Sequence, residues 1–448
     1  MIDRLIASSI LFSGLVFYPF LGLVSVILLL VFGEAEGALF YNLMLGGTLL
    51  LLCWQLLRGF PKYESWVILV AVPVTIYTVL LCGINVLFSE RFFWGDICVI
   101  YATAFVFLMS GMLSSMRKNK SNLSLAQINY LLILFLQVGI VVSIIGLLEK
   151  SFLNFEEIQT IGFYRLLSSI RGVDANNTPD NLFSMVEGIE YRRLVSVFGE
   201  PLYAAYFLYP VAILSYVRVR LVKGSKWIIF GLVCLATLMT LSRYIIIVLL
   251  LAIVFFEAYS QRMLRLFLFI MMISLPIILI VIFFIHNYML QYDISYQGHI
   301  DSVIATLNSF NGLSLLAGTE DVFKSNYLSA KSNYDTGSES GALILSSCMG
   351  VFAFIFFVGF YVRYLISRLH LGFCFVYRNE NNPNLNYKID LVTSYVVAYP
   401  LFSIGYLFTL LFSPHLITFQ VAIYFCSLSL LYTNCFVGLS NGIAKNTK

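Results

Sequence analysis

The stretch WIIFGLVCLATLMTLSRYIIIVLLLAIVFFEA, which runs from Trp227 to Ala258, decides the fold of this chain. Two apolar runs of 15 residues, Trp227 to Leu241 and Tyr244 to Ala258, flank a single cation, Arg243. A guanidinium at membrane depth costs a few kcal/mol or more, so such a side chain usually faces a wet cavity and an anion. Arg243 is therefore the first candidate for a functional residue.

Composition indicates a polytopic helical membrane protein. The 448 residues are 60% hydrophobic and 11% charged, with a mean hydropathy of +0.90, whereas an ordinary soluble domain is about 25% charged. Apolar runs of the roughly 20 residues that a spanning helix needs recur almost without pause. The run from Met1 to Phe32 lacks a small-residue cleavage site, and we interpret it as an uncleaved first span. The net charge of +4 is too small to indicate a nucleic-acid partner.

We predict an all-α bundle of about twelve spans that forms one integral membrane domain, residues 1–448. The predicted spans are Leu5 to Phe32, Gly37 to Leu57, Trp66 to Phe88, Ile97 to Ser115, Tyr130 to Leu148, Leu194 to Val217, Trp227 to Leu241, Tyr244 to Ala258, Leu266 to Ile285, Gly341 to Ile366, Leu391 to Phe412 and Leu416 to Gly438. One side of the membrane then holds 18 of the 27 basic residues and both termini. The positive-inside rule assigns that side to the cytoplasm.

The stretch around Arg243 is predicted to be two spans, although one long tilted helix is the alternative. A single span would move Arg262, Arg265 and the later basic loop, Arg368 to Lys388, to the outside. Two short helices that meet at Ser242 and Arg243 keep these charges inside. We therefore expect a helical hairpin with Arg243 at its outer end.

Two outward segments, residues 149–193 and 286–340, are too long to be turns, and loops of this length are usually functional. Each carries apolar residues at i, i+3, i+4 and i+7, which is the spacing of an amphipathic helix. The two stripes are Phe163, Leu166, Leu167 and Ile170, and Ile300, Val303, Ile304 and Leu307. Such helices either lie along a headgroup layer or simply pack on the bundle.

The motifs that are missing restrict the chemistry. The sequence has no nucleotide-binding phosphate loop, no His-Glu-x-x-His and no Cys-x-x-Cys, and its four histidines lie far apart. We therefore expect no metal and no cofactor, and any enzymatic substrate must bring its own leaving group. The eight cysteines indicate no disulfide framework.

Polar residues at the outer membrane edge are the remaining candidates. Arg192 and Arg193 precede the sixth predicted span, and Glu200 follows Arg193 by seven residues. On a continuous helix Arg193 and Glu200 would share a face about 10 Å apart. Glu200 is then able to pair with Arg193 or Arg243, either beside a substrate or as an ion pair that fixes helix register.

Glu339 lies where the second long loop enters the tenth span. Nearby arginines would lower the pKa of its carboxyl and partial burial would raise it, which suits a general base. Alternatively, residues 338–340 cap the helix and Glu339 complements the helix dipole. His415 lies between the last two spans on the same side, in a tight turn where a histidine is more often structural.

The order of these features resembles the Wzy-type O-antigen polymerases, within the superfamily of O-antigen ligases and polymerases. The resemblance rests on an Arg before a span with Ser and a Pro step (Arg193 to Pro201), on Leu-Ser-Arg-Tyr between short spans (Leu241 to Tyr244), and on a large outer loop followed by Met-Gly-Val (Met349 to Val351). By motif it covers roughly residues 190 to 360, and elsewhere it rests on the number of spans.

This resemblance implies a metal-independent, inverting glycosyltransferase of the C-type membrane fold that uses undecaprenyl diphosphate-linked sugars at the periplasmic face of the bacterial inner membrane. Arg193 and Arg243 would be the diphosphate ligands. Ligase members have a histidine where this chain has Glu339, which favours a polymerase. His299 stands where many relatives have a basic residue, and it is predicted, with Arg192, Glu200 and His415, to contact substrate.

The expected partners are the lipid-linked oligosaccharide, membrane lipid and a chain-length regulator, with no nucleic acid. Three other functions remain open: an O-antigen ligase acting on lipid A core, a flippase or other transporter of lipid-linked oligosaccharides, and a structural scaffold. A transporter would account for twelve spans and buried charge, but no clear internal repeat is visible. A scaffold leaves Arg243 unexplained.

Overall fold

The computed structural model describes residues 2–59, 63–88, 94–116, 123–152, 183–186, 189–198, 201–222, 227–261, 263, 304, 307–308, 312, 314–318, 340–380, 391–411 and 419–446. The α-helices are α1 (Ile2–Leu11), α2 (Leu21–Phe32), α3 (Glu34–Gly59), α4 (Val72–Phe88), α5 (Trp94–Ser114), α6 (Leu125–Phe152), α7 (Pro201–Leu221), α8 (Trp227–Met239), α9 (Arg243–Ser260), α10 (Ser314–Ala317), α11 (Gly341–Met349), α12 (Val351–Glu380), α13 (Leu391–Thr409) and α14 (Phe419–Asn446). Two short strands, β1 (Phe183–Val186) and β2 (Ile189–Arg192), form an antiparallel hairpin.

The protein is a polytopic helical bundle, which confirms the predicted fold class. Nine helical segments among the described residues are long and apolar enough to cross a membrane, and two shorter apolar helices accompany them, residues 101–114 and α8. Eleven of the twelve predicted spans therefore coincide with helices. The ninth, Leu266 to Ile285, lies outside the described residues. The β1–β2 hairpin was not predicted, because short strands in a polar loop leave little hydrophobic pattern.

Two of the spans contain a π-helical segment, and each segment is followed by a proline. Residues Phe12–Phe17 are π-helical and Pro19 follows them, while Val67–Ala71 are π-helical and Pro73 follows them. Proline has no N–H to donate, and its ring clashes with the carbonyl four residues earlier. The local widening to π geometry keeps both spans helical around that defect.

Helices α7, α13 and α14 form the centre of the bundle, and almost all of their residues are buried. Pro210, inside α7, deprives the carbonyl of Tyr206 of its helical donor. The hydroxyl of Tyr406, on α13, donates to that carbonyl instead. Next to it, the Tyr424 hydroxyl of α14 donates to the Phe207 carbonyl at 3.3 Å. The Tyr406 hydroxyl therefore pairs the carbonyl that the proline leaves without a helical donor.

Helices α8 and α9 form the predicted hairpin. Tyr216, near the C-terminal end of α7, contacts Trp227 at the beginning of α8 and Phe256 near the end of α9, with ring centroids 6.2 and 5.7 Å apart. The other end of α8 meets the residues before α7, because Leu194 N donates to Met239 O at 2.8 Å. The chain therefore reverses direction between α8 and α9, and the two-span interpretation is confirmed.

One end of the bundle gathers helix ends that carry basic residues, and we call it the basic end. There Arg220 forms an ion pair with Glu257, with Nε and Oε1 2.5 Å apart. Arg368 pairs with Glu64 and stacks on the rings of Tyr364 and Phe436. These contacts join α7 to α9, and they join α12 to α14 and to the residues before the π-helical segment Val67–Ala71. The opposite end holds the α8–α9 turn.

The tenth predicted span, Gly341 to Ile366, is two helices rather than one. Helix α11 ends at Met349, and Gly350 has a φ of +80°, a conformation that glycine adopts without cost. A Cβ at Gly350 would lie 1.8 Å from the Leu316 carbonyl of α10, so a side chain does not fit there. The same carbonyl accepts a hydrogen bond from Tyr77 of α4 at 2.9 Å. Helix α10, from the second long segment, therefore packs against the break.

The two long outward segments are described only in part. Helix α6 continues to Phe152, so the first segment starts a few residues later than residue 149. The stripe from Phe163 to Ile170 lies outside the described residues. In the second segment, Ile304 and Leu307 are helical and exposed.

Two buried tyrosines next to each other in the core allow a matched test of this packing. Tyr406→Phe removes the donor to the Tyr206 carbonyl, and we expect the thermal unfolding midpoint in detergent to fall, because an interhelical hydrogen bond in a membrane protein contributes about 1 kcal/mol. The Tyr209 hydroxyl is buried and has no hydrogen-bond partner within the described residues. Tyr209→Phe should leave the midpoint unchanged or raise it. Equal losses in both variants would contradict this account.

Candidate functional site

The turn between α8 and α9 lies at the end opposite the basic end. At the end of α8 the hydrogen bonds span three residues instead of four, from Thr240 N to Thr237 O at 3.3 Å and from Leu241 N to Leu238 O at 3.0 Å. Leu241 then adopts a φ of +51°, which is uncommon for a residue with a side chain and marks local strain. Ser242 is extended and precedes the first residue of α9, Arg243. We call residues 240–243 the arginine turn.

The segment before α7 lies directly on the arginine turn. Leu194 N donates to Met239 O at 2.8 Å, and Arg193 Nε donates to the Thr240 carbonyl at 2.9 Å. The fold therefore brings Arg193 against a residue that is three positions from Arg243, although the two arginines are 50 residues apart in the sequence. Two guanidinium groups thus belong to one small region of the surface.

The arginine turn favours an anion for two independent reasons. Arg243 is exposed and Arg193 is half-buried, so both charges are accessible from outside the bundle. Arg243 is also the first residue of α9, where the helix dipole concentrates positive charge. A cation at that position is unfavourable by itself, and a bound anion would offset it.

A buried hydroxyl lies in the same turn. Ser242 is only 3% exposed, and its Oγ has no hydrogen-bond partner within the described residues. Its backbone N–H lies 3.4 Å from Thr240 Oγ1, whose own proton is donated to the Thr237 carbonyl at 2.7 Å. Buried polar groups are normally paired. The Ser242 hydroxyl is therefore able to bond a ligand atom or a water molecule at the arginine turn.

Glu149 holds the Arg193 segment in place, and sequence reasoning gave it no role. It lies near the end of α6, is 8% exposed, and accepts a hydrogen bond from Ser196 N at 2.7 Å through Oε2. The Ser196 hydroxyl donates to the Val142 carbonyl at 2.8 Å. Ser196 has a φ of +55°, so these two bonds support a strained residue. The sequence feature that could have indicated this role is a carboxylate at the end of an apolar run.

The condition under which Arg193 and Glu200 would share a face, a continuous helix, is not met. Residues 193–195 are not helical, residues Ser196–Phe198 form one 3-10 turn, and α7 begins at Pro201. Proline is favoured in the first turn of a helix because its missing N–H is not needed there. Arg193 therefore does not share a helical face with Glu200, and Glu200 itself lies outside the described residues.

The other candidate residues are only partly described. Arg192 belongs to β2 and is paired with Phe183. Glu339, His299 and His415 lie outside the described residues. Ser340, next to Glu339, caps α11, because its Oγ accepts from Leu343 N at 3.4 Å, and Ala342 N donates to the Leu410 carbonyl at 2.8 Å. The capping role expected for residues 338–340 is thus confirmed at Ser340.

Within the described part of the chain, no three His, Cys, Asp or Glu residues are grouped so that they could hold a metal ion. The arginine turn contains Arg243, and Arg193 contacts it through the Thr240 carbonyl. No known family model and no curated protein matches the chain.

The Glu149 contact can be tested by hydrogen exchange. Glu149→Ala leaves the buried Ser196 amide without an acceptor, which costs roughly 1–3 kcal/mol. We expect that amide, followed by mass spectrometry of peptides covering residues 193–198, to exchange at least tenfold faster.

Two variants serve as controls for this measurement. Glu149→Gln keeps an oxygen acceptor and should change the exchange much less, while Ser151→Ala alters an exposed hydroxyl of the same helix and should have no effect. Unchanged exchange in Glu149→Ala would show that the bond does not hold this segment.

Proposed function

We propose that this chain is a multi-pass glycosyltransferase of the bacterial inner membrane that polymerises O-antigen. In this proposal the basic end faces the cytoplasm together with both termini, and the arginine turn faces the periplasm. The observation that carries the proposal is the contact of Arg193 with the arginine turn, since it unites two cations at a membrane edge. A lipid-linked sugar diphosphate is an anion that presents its phosphates at that depth.

The arginines would act on the leaving group. When an acceptor hydroxyl attacks the anomeric carbon of the donor sugar, the bond from that carbon to the diphosphate oxygen breaks and negative charge grows on the lipid diphosphate. Arg193 and Arg243 would bind that charge through forked, charge-assisted hydrogen bonds. Preorganised cations in a water-poor site lower a barrier by several kcal/mol, and they supply the charge that a metal ion supplies in other enzymes.

Glu339 is proposed as the general base. In the sequence it precedes Ser340, the residue that caps α11, and the first turn of α11 is bonded to the end of α13 from Ala342 N to Leu410 O. It would accept the proton of the attacking hydroxyl as the new carbon–oxygen bond forms, which is worth roughly 10²–10⁴ in rate. Attack from the face opposite the diphosphate inverts the anomeric centre.

The remaining candidates have binding roles in this proposal. Arg192, Glu200, His299 and His415 would contact the sugars or the second lipid-linked substrate. The growing chain would be transferred from undecaprenyl diphosphate to a new lipid-linked repeat unit, and a chain-length regulator would act as the partner that ends elongation. The direction of growth and the partner come from the family resemblance.

A transporter of lipid-linked oligosaccharides is the second candidate, and the break between α11 and α12 favours it. Discontinuous helices are common at the binding sites of secondary transporters. In this chain the break is filled by the Leu316 carbonyl and α10 rather than left open. The polymerase is therefore preferred, and a genetic test separates the two.

The diphosphate role predicts the lipopolysaccharide pattern of arginine variants. In a strain that lacks its native copy of the gene, Arg243→Ala or Arg193→Ala should reduce the ladder to core plus one repeat unit, because polymerisation stops while ligation continues. Arg363→Ala, an exposed arginine on α12, is the control and should keep the full ladder.

Other patterns would contradict the proposal in distinguishable ways. Full ladders from both arginine variants would reject the diphosphate role. Loss of all O-antigen, including the single repeat, would indicate a ligase or a transporter instead. In each case immunoblotting of the membrane fraction must show that the protein is present at its normal level.

The base assignment predicts a separation of binding from turnover. Glu339→Gln should lower the rate of chain elongation in membranes by at least 100-fold while binding of the lipid-linked substrate stays within about twofold, because the amide cannot accept a proton. Elongation at the normal rate would exclude Glu339 as the base and direct attention to Glu200 and His415.

A further inference from the structure

Two helices of the bundle begin directly after a buried serine. Ser242 precedes α9 and is 3% exposed, and Ser340 precedes α11 and is 4% exposed. Both serines have an extended backbone, with ψ angles of 97° and 114°. A serine in this position, the N-cap, normally accepts a hydrogen bond from an amide of the first helical turn. The chain therefore contains two serines in matched positions.

Only one of the two serines caps its helix. The Ser340 hydroxyl accepts from Leu343 N at 3.4 Å and donates to the Leu410 carbonyl at 3.4 Å. The Ser242 hydroxyl makes no capping bond, and it has no hydrogen-bond partner within the described part of the chain. Buried polar groups are normally paired, so burial of this hydroxyl is unfavourable unless a ligand pairs it.

The charges next to Ser242 indicate the class of ligand. Arg243 follows Ser242 directly and is exposed. Arg193 Nε donates to the Thr240 carbonyl at 2.9 Å, which holds a second guanidinium against the same turn. The dipole of α9 adds positive charge at the beginning of that helix. The ligand that suits the Ser242 hydroxyl is therefore an anion.

The combination of a hydroxyl with guanidinium groups favours a phosphate over a carboxylate. A forked guanidinium occupies both oxygens of a carboxylate. A phosphate binds the same fork through two of its oxygens, and it has further oxygens that project out of that plane. One such oxygen is able to accept the proton of the Ser242 hydroxyl. Rotation about the Cα–Cβ bond turns a serine hydroxyl toward a ligand without a change in the backbone.

We infer that Ser242 is a ligand-binding residue whose hydroxyl donates to a nonbridging phosphate oxygen of the lipid diphosphate, beside the Arg243 guanidinium. Thr240 supports this arrangement, because its Oγ1 lies 3.4 Å from Ser242 N and its proton is donated to the Thr237 carbonyl at 2.7 Å. The inference rests on the proposed function, which brings a lipid diphosphate to the arginine turn.

The two serines provide matched variants for a binding test. Ser242→Ala removes a hydroxyl that caps nothing, whereas Ser340→Ala removes a cap. Isothermal titration calorimetry of the full-length protein in detergent, with inorganic pyrophosphate as the probe, measures the affinity. Ser242→Ala should bind pyrophosphate roughly tenfold more weakly than the wild type, because a hydrogen bond to a charged group is lost. Ser340→Ala should bind as tightly as the wild type, and so should Ser242→Thr, which keeps a hydroxyl.

The thermal unfolding midpoint without pyrophosphate is the second readout, and it should respond in the opposite way. Ser340→Ala should lower the midpoint, because the cap of α11 is lost. Ser242→Ala should leave the midpoint unchanged or raise it, because it removes a buried hydroxyl without a partner. A loss of affinity in Ser242→Ala is then not a consequence of unfolding.

Three outcomes would overturn the inference. The wild-type protein would bind no pyrophosphate, Ser242→Ala would bind it as tightly as the wild type, or Ser242→Ala would lower the midpoint as Ser340→Ala does, which would identify a structural hydroxyl. Equal binding by Ser242→Ala would leave the polymerase proposal to the lipopolysaccharide test of the arginine variants. Weaker binding by Ser242→Ala, together with full ladders from Arg243→Ala, would support the phosphate site and reject the polymerase.

Discussion

A backbone amide or carbonyl in the apolar part of a membrane must find its hydrogen-bond partner within the protein. This constraint explains why apolar runs become helices, and it also explains the side chains that are buried with them. Pro210 removes one helical donor, and the Tyr406 hydroxyl replaces it. Ser196 begins a 3-10 turn with a positive φ, and Glu149 accepts a hydrogen bond from its amide. In both cases a residue distant in sequence supplies the hydrogen-bond partner of the backbone group.

The same constraint builds the arginine turn. Helix α8 ends at Met239, so its last carbonyls need donors from outside the helix. Leu194 N and Arg193 Nε supply them at Met239 and Thr240. The bonds that satisfy a helix end therefore also deliver a guanidinium to the neighbourhood of Arg243. Structural pairing and the proposed anion site are two consequences of one set of contacts.

The basic end and the arginine turn lie at opposite ends of the bundle and differ in their chemistry. The arginine turn offers charge and helix N–H groups, which suits a diphosphate. At the basic end the charges are paired within the protein, as Arg220 is with Glu257 and Arg368 is with Glu64. The central helices α7, α13 and α14 separate the two ends and are packed with tyrosine and phenylalanine rings, such as the Tyr399–Tyr432 stack at 4.3 Å.

Hydropathy and charge alone determined the polytopic bundle, eleven of its helices and the hairpin at Arg243, because span length and loop charge are local properties of the sequence. The helix cap at Ser340 could be predicted for the same reason, because capping depends on the residues next to the helix start. Three features were decided only by the tertiary structure. Arg193 lies outside α7 and donates to the Thr240 carbonyl, Glu149 accepts a hydrogen bond from the Ser196 amide, and Gly350 divides a predicted span where the Leu316 carbonyl packs against it. Those contacts join residues that are 34 to 47 positions apart, and hydrophobic periodicity carries no information on which distant polar groups will satisfy one another.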